Sequence, residues 1–129
     1  MVRRFGLCVA TFLVISRFAA AEDMEKDRWT VQDTIVELAF LGVWEVDRRQ
    51  TLEIADNPKK YYEKNRVLGR HPTRQQVNTY FLLGGALHAA IAYYLPRDAK
   101  IPFWGLTFGH ELAAVVRNRA IGLSVQMRF

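Results

Sequence analysis

The longest apolar segment of the chain runs from Val77 to Leu95 and constrains the fold more than any other feature. It has 19 residues, "VNTYFLLGGALHAAIAYYL", and apart from its tyrosines its only ionisable side chain is His88. A segment of this length is either a helix that crosses a bilayer or a helix buried in a protein core. Thr73 can cap such a helix, with Gln76 at the capping-box position. The sequence therefore predicts a long apolar α-helix.

An amphipathic helix is predicted upstream, from Val31 to about Ala55. Thr30 can cap its N-terminus, with Asp33 at the capping-box position, and Pro58 follows its end. At 100° per residue, acidic and aromatic side chains collect on one side of this helix, while aliphatic residues take much of the other. The residues on the first side are Asp33, Glu37, Phe40, Trp44, Asp47 and Thr51.

A last helix is predicted after Pro96, which ends the long apolar helix. The residues that follow Pro96 are expected to form a short turn, and the helix itself is expected to begin at Phe103. It carries His110 and Glu111 near its middle. The fold class is therefore all-α: a small helical bundle or hairpin of two to three helices after an N-terminal signal or anchor helix.

The first 21 residues are typical of a secretory signal. Arg3 and Arg4 precede an apolar run, and small residues up to Ala21 resemble a cleavage site. Arg17 interrupts the approach to that site, so an uncleaved anchor is the alternative. Residues 22–129 are expected to form a single helical membrane-associated domain. Because the one cysteine, Cys8, lies in the signal, the mature domain would have no disulfide.

Lys and Arg are distributed as the positive-inside rule expects for a bacterial inner-membrane protein. If four segments cross the membrane, most of the 18 Lys and Arg lie on the cytoplasmic side. The basic segment from Arg48 to Arg74 would then face anionic lipid headgroups. The exceptions, on the outer side, are Arg17, Lys26, Arg28, Arg97 and Lys100.

Two observations argue against complete spanning. The mean hydropathy of the chain is only −0.06, and the helix from Val31 lacks an apolar stretch of about 20 residues. Glu37 and Glu45 would each cost about 3 kcal/mol in lipid unless they face a partner. The alternatives are that this helix lies at the membrane interface, or that the chain is an exported, periplasmic helical bundle.

Polar side chains on the predicted helices and in the loop form the candidate site. Glu37 and Glu111 are expected to face His88 across the bundle, as a metal- or proton-handling site or as a buried polar pair. No two of the ionisable groups repeat at ligand spacing on one helix, which favours a pair without a metal ion. The candidate residues are Glu37, Asp47, Gln50, Thr51, Glu63, Asn65, His71, His88, Glu111 and Asn118.

Known catalytic motifs are absent from the sequence. "HELAA" at His110 lacks the second histidine of a zinc protease, because position 114 is Ala. There is no G-x-S-x-G, no phosphate-binding glycine loop and no paired-cysteine set, and no cofactor is expected. The isoelectric point of about 9.7 would suit nucleic acid, but the basic segment adjoins apolar helices, which favours anionic lipid as its partner.

A pattern of polar and turn-forming residues connects the first two predicted helices. Its residues are Asp47, Gln50, Thr51, Glu63, Asn65, Leu68, Gly69, His71, Pro72, Thr73, Tyr80 and Phe81. With these residues, the chain from about Trp29 onward resembles a group of uncharacterised small membrane-associated proteins of bacteriophages and prophages, which have the pattern D-x-x-Q-T … E-x-N-P-x-L-G-x-H-P-S. It differs at Arg66 and Thr73, where the pattern has Pro and Ser. The resemblance implies an envelope location and a phage origin, without an activity.

The sequence therefore predicts a small envelope accessory protein that acts through contacts with lipids or membrane proteins. The resemblance suggests envelope modification, exclusion of other phages or support of lysis. One alternative is a membrane-embedded enzyme or ion-handling protein that uses buried Glu, Asp and His side chains. The other is an exported periplasmic helical protein. A membrane protein or a second copy of the chain is a further possible partner, and nucleic acid is not expected.

Overall fold

The computed structural model describes residues 29–123, which contain three α-helices. α1 is Val31–Asp56, α2 is Arg74–Tyr94 and α3 is Arg97–Ala120. No strand occurs in this described range, so the predicted all-α class is confirmed. The predicted signal or anchor segment and the last six residues of the chain lie outside the described residues.

The first two helices begin where their capping residues predict. At the start of α1, the Thr30 hydroxyl accepts a hydrogen bond from the Asp33 N–H at 3.1 Å, and the Thr30 N–H donates to the Asp33 carboxylate at 2.9 Å. Thr73 and Gln76 form the same reciprocal pair at the start of α2, at 3.2 and 2.8 Å. Each capping box provides partners for N–H groups that have none within the helix.

α3 begins six residues before the predicted position, so the expected turn is wrong. Pro96 is its N-cap, and Pro102 lies inside the helix. An internal proline removes one helical hydrogen bond, here the one to the carbonyl of Asp98, an exposed residue. Lys100, in the same part of the helix, forms an ion pair with Asp33 at 3.2 Å. A tertiary contact therefore accompanies helix formation where local sequence favours a turn.

α1 is the central helix, and both other helices pack mainly against it. α2 runs antiparallel to α1, because Asp56 pairs with Arg74 and Glu37 pairs with His88. α3 runs parallel to α1. The hydrogen bonds that join these two helices advance in the same direction along both: Asp33 with Lys100, Glu37 with Trp104, and Asp47 with Asn118.

The apolar clusters of the described chain lie toward the loop that joins α1 to α2. One cluster consists of Leu68, Val77 and Phe81, and Trp44 packs against it. The other consists of Ile54, Tyr61 and Leu123. Both clusters therefore pack segments outside the helices, namely the loop and the residues that follow α3, against the three-helix body.

Several polar side chains are buried in the bundle, while many large apolar side chains lie on its surface. Within residues 29–123, the buried polar residues are Glu37, Gln50, Thr51, His88, Lys100 and Glu111. Many large apolar side chains are exposed on all three helices, among them Val31, Ile35, Leu38, Leu82, Leu83, Leu87, Ile101, Leu106, Leu112 and Val116. None of the three described helices is both long enough and apolar enough to cross a membrane.

Candidate functional site

Glu37 and His88 are the centre of a buried hydrogen-bond network. Glu37 Oε1 lies 2.8 Å from His88 Nδ1, and Trp104 donates its indole N–H to Glu37 Oε2 at 2.9 Å. On the other side of the imidazole, His88 Nε2 lies 3.0 Å from the hydroxyl oxygen of Thr107. Glu37 therefore faces His88 across the bundle, as the sequence predicts, and both of its carboxylate oxygens have a partner.

The hydroxyl of Thr107 allows two arrangements of protons in this network. It lies 2.9 Å from the carbonyl oxygen of Phe103. If the hydroxyl donates to that carbonyl, His88 Nε2 must donate to the hydroxyl, and the proton between Nδ1 and Glu37 belongs either to the ring, as an imidazolium, or to the carboxyl group. If the hydroxyl donates to Nε2 instead, the ring is neutral and donates to Glu37 through Nδ1. The second arrangement is that of a carboxylate, imidazole and hydroxyl triad.

Aromatic rings fix the orientation of the His88 ring. The Phe40 ring stacks on it with centroids 3.6 Å apart and an angle of 9° between the planes. Phe103 stacks on it at 4.6 Å and 29°. Together with the two hydrogen bonds to the ring nitrogens, these contacts hold the imidazole in one plane.

A second polar cluster lies farther along α1 and α3. The Asn118 amide donates to Asp47 Oδ1 at 2.9 Å, and the Gln50 amide donates to the carbonyl of Val115 at 3.4 Å. Two oxygens in this region, Gln50 Oε1 and Glu111 Oε2, are buried without a hydrogen-bond partner in the described part of the chain. Unpaired buried acceptors are uncommon and cost free energy, so they indicate a missing partner or a bound proton.

Burial changes the protonation of the two carboxyl groups in this second cluster. Burial, and to a smaller extent the charge of Asp47, raises the pKa of Glu111 to about 7. Burial, followed by the charge of Glu63, raises the pKa of Asp47 to about 6, against a lowering by the hydrogen bond from Asn118. Both carboxyl groups therefore keep a proton to a higher pH than an exposed carboxyl group does. Glu63 belongs to the loop, so this part of the loop lies near enough to α1 for its charge to act on Asp47.

A cavity of about 260 Å³ that opens to the surface lies between the three helices and touches both clusters. Its walls are mainly apolar, and Glu111 and His88 are among its ionisable lining residues. The rest of the lining comes from Phe40, Trp44, Gly84, Leu106, Thr107 and His110. A larger groove of about 500 Å³ follows the loop and the start of α2, but no ionisable candidate residue lines it.

Gly84 makes room for one wall of this cavity. A Cβ atom at this position would come within 2.6 Å of Trp44 Cζ2. The Trp44 indole is fixed there, because its N–H donates to the carbonyl of Phe81 at 2.8 Å. The small residue therefore permits the close contact between α1 and α2 that shapes the cavity.

The loop residues of the sequence pattern mainly determine the chain path. The Asn65 side chain accepts a hydrogen bond from the Val67 N–H at 3.0 Å, and the Asn65 carbonyl accepts one from Gly69. Gly69 has a φ of +76°, a left-handed conformation that favours glycine. Asn65 thus stabilises a turn, and the exposed His71 joins neither polar cluster. Thr51 is buried on α1 one turn beyond Asp47.

Two members of the Glu37 network, Trp104 and Thr107, are not among the residues predicted from the sequence. They share one face of α3 with Glu111 and two other polar residues, and at 100° per residue this spacing is a recognisable signal. The sequence predicts that this helix begins at Phe103, which excludes Lys100, so the predicted helix does not contain the complete polar face. In chain order the face consists of Lys100, Trp104, Thr107, Glu111 and Asn118.

The described residues limit what the site can bind. Between residues 29 and 123, no group of three or more His, Cys, Asp or Glu side chains is placed to hold a metal ion. Both oxygens of Glu37 are already occupied, which leaves Glu111 as the carboxyl group with an unpaired buried oxygen. Comparisons of the chain with protein families, with curated proteins and with solved structures found no match.

Proposed function

We propose that this chain is a small envelope accessory protein, held at the bacterial inner membrane by contacts between its apolar exterior and lipid acyl chains. The observation that supports the proposal is the exposure of large apolar side chains on a bundle that also buries charged ones. Leu82, Ile101 and Leu106 are 73%, 76% and 76% exposed, whereas Glu37 and Lys100 are 5% and 2% exposed. Large exposed apolar surfaces mark sites of contact with a membrane or a partner protein.

The basic residues of the described chain support contact with anionic lipid. The C-terminal ends of α1 and α3 lie at the same end of the bundle as the loop and the start of α2. Each Lys or Arg near an anionic membrane surface contributes about 1 kcal/mol of attraction. The basic residues at this end are Arg48, Arg49, Lys59, Lys60, Lys64, Arg66, Arg70, Arg74, Arg117 and Arg119.

Co-flotation of the full-length chain with vesicles tests the proposal. Two vesicle compositions are compared: phosphatidylcholine alone, and phosphatidylcholine with phosphatidylglycerol. Binding to the first measures the contribution of apolar contacts, and the increase with the second measures the contribution of charge. We expect flotation with both, more strongly with the anionic vesicles, and a loss of this difference in about 0.5 M NaCl. A chain that stays at the bottom of the gradient with both compositions would contradict the proposal and favour the exported soluble bundle.

The accessory role itself rests on the resemblance to phage and prophage proteins. Envelope modification, exclusion of other phages and support of lysis predict different phenotypes in a bacterial host that expresses the chain. A reduced plating efficiency of challenge phages would indicate exclusion, and earlier lysis of an infected culture would indicate lysis support. An unchanged outcome in both assays, with the protein present in the membrane fraction, would leave envelope modification as the role to test by lipid analysis.

The network of Glu37, His88 and Thr107 favours a second candidate function, an enzyme or ion-handling protein. A hydroxyl next to an imidazole that is held by a carboxylate can act as a nucleophile. Hydrolysis of a short p-nitrophenyl ester tests the enzymatic form of this hypothesis. A rate that falls to background in Thr107→Val and Glu37→Gln supports it, and a rate equal in all three proteins contradicts it.

A further inference from the structure

The cavity between the three helices combines apolar walls with one unpaired carboxyl group. Glu111 lines it and is only 7% exposed, yet its Oε2 atom has no hydrogen-bond partner among the described residues. Such an oxygen can keep a proton, accept a hydrogen bond from a water molecule in the cavity, or pair with a positively charged group that enters it.

We propose that this cavity binds a small hydrophobic organic cation, with an ammonium group against Glu111 and an apolar tail between the helices. The volume of about 260 Å³ is enough for an alkyl chain of several carbons. Phe40 and Trp44 contribute aromatic rings to the lining, and aromatic faces attract cations. The site is independent of lipid association and goes beyond the proposed accessory role.

The carboxyl groups at the Glu111 side of the cavity favour a cation over an anion. Asp47 acts on Glu111 as a second negative charge, so an anion placed against Glu111 would be repelled, and His88 and His110 are the lining groups that could offset this repulsion. A neutral apolar molecule could fill the space, but it would leave the Glu111 oxygen unpaired. The absence of a cluster of metal ligands within residues 29–123 makes a multidentate metal ion a poorer match than an organic cation.

A series of ligands of equal length tests this assignment on the full-length chain. Hexylammonium, hexanol and hexanoate share one tail and differ in charge, and binding is measured at pH 8 in a maltoside detergent without charge. The indole N–H resonance of Trp44, assigned with Trp44→Phe, reports occupation of the cavity. Trp29 does not line the cavity, so its resonance serves as the internal control.

We expect hexylammonium to shift the Trp44 resonance and to bind about tenfold or more tightly than hexanol, with hexanoate weakest. Glu111→Gln should reduce hexylammonium binding to the level of hexanol, while Glu53→Gln, an equivalent change elsewhere on the bundle, should leave it unchanged. Equal affinity of wild type for hexylammonium and hexanol would overturn the proposal. The ligand comparison needs no variant, so it decides the matter even if Glu111→Gln does not fold.

Discussion

His88 Nδ1 lies 2.8 Å from Glu37 Oε1, in a position where the two side chains are only 8% and 7% exposed. Removal of one partner from a buried hydrogen-bonded pair leaves the other buried without a hydrogen-bond partner, which costs free energy. Glu37→Leu should therefore lower the free energy of unfolding by about 3–5 kcal/mol, measured by urea denaturation of the detergent-solubilised chain. The same variant also deprives the Trp104 indole of its acceptor.

Glu45 provides the control for this substitution. It forms ion pairs with Arg48 and Arg49 at 2.6 and 2.8 Å, but its side chain is 40% exposed. Glu45→Leu should cost no more than about 1 kcal/mol, since exposed pairs contribute little. The combined Glu37→Leu/His88→Leu variant should cost less than the sum of the two single variants. Equal costs for Glu37→Leu and Glu45→Leu would contradict the importance of the buried pair.

Gly84 and Gly42 should respond in opposite directions to replacement by alanine. At Gly84 the new Cβ would overlap Trp44, so Gly84→Ala should lower the free energy of unfolding by about 1–3 kcal/mol. At Gly42, also within a helix, nothing lies within 4 Å of the new atom. Gly42→Ala should therefore raise stability by about 0.5–1 kcal/mol. Thermal denaturation followed by circular dichroism compares the two, and equal effects would exclude close packing at Gly84.

The carboxyl group of Glu111 should make stability depend on pH in the direction opposite to that of an ordinary salt-bridged carboxylate. Its pKa of about 7 in the folded chain lies above the usual value of 4.5. The folded state therefore holds the proton more tightly than the unfolded state does. This stabilising contribution is complete below about pH 4.5 and is lost as the pH rises to about 7.

Urea denaturation of wild type and Glu111→Gln between pH 4 and pH 8 measures this effect. The amide resembles the protonated carboxyl group, so the variant should become more stable than wild type by about 2–3 kcal/mol at pH 8. Near pH 4 the two proteins should be nearly equal. Comparison of the two proteins cancels the titration of the histidines, which they share. If the difference in the free energy of unfolding between the two proteins did not change with pH, the pKa of Glu111 would not be raised in the folded chain.

Local sequence signals were sufficient for α1 and α2 because capping is a short-range interaction. Thr30 and Thr73 each meet a partner only three residues away, so the chain itself contains the necessary information. The pairing of Glu37 with His88 was also accessible, since both are ionisable groups on otherwise apolar or amphipathic helices. An unpaired charge in an apolar environment is costly, so these two groups are expected to pair with each other.

The start of α3 and the Glu111 cluster depended on information that is not local. Pro102 and the preceding proline favour a turn, and contacts between distant residues accompany the longer helix, such as the one between Lys100 and Asp33, 67 residues apart. The proximity of Glu111 to Asp47 depends on the parallel alignment of α3 with α1, which neither helix specifies alone. Periodicity identifies the faces of helices, but their relative register comes from packing.

Neutralisation of the loop should weaken binding to anionic membranes specifically. Lys59, Lys60 and Lys64 are exposed, and at about 1 kcal/mol per charge their replacement by Gln should reduce affinity for phosphatidylglycerol vesicles by about 100-fold. Replacement of all three by Arg retains the charge and should retain affinity. Sedimentation with vesicles measures both variants, and in about 0.5 M NaCl the difference should largely disappear. If the Gln and Arg variants bound equally well at low salt, the loop would not be the contact with headgroups, and the apolar exterior alone would account for membrane association.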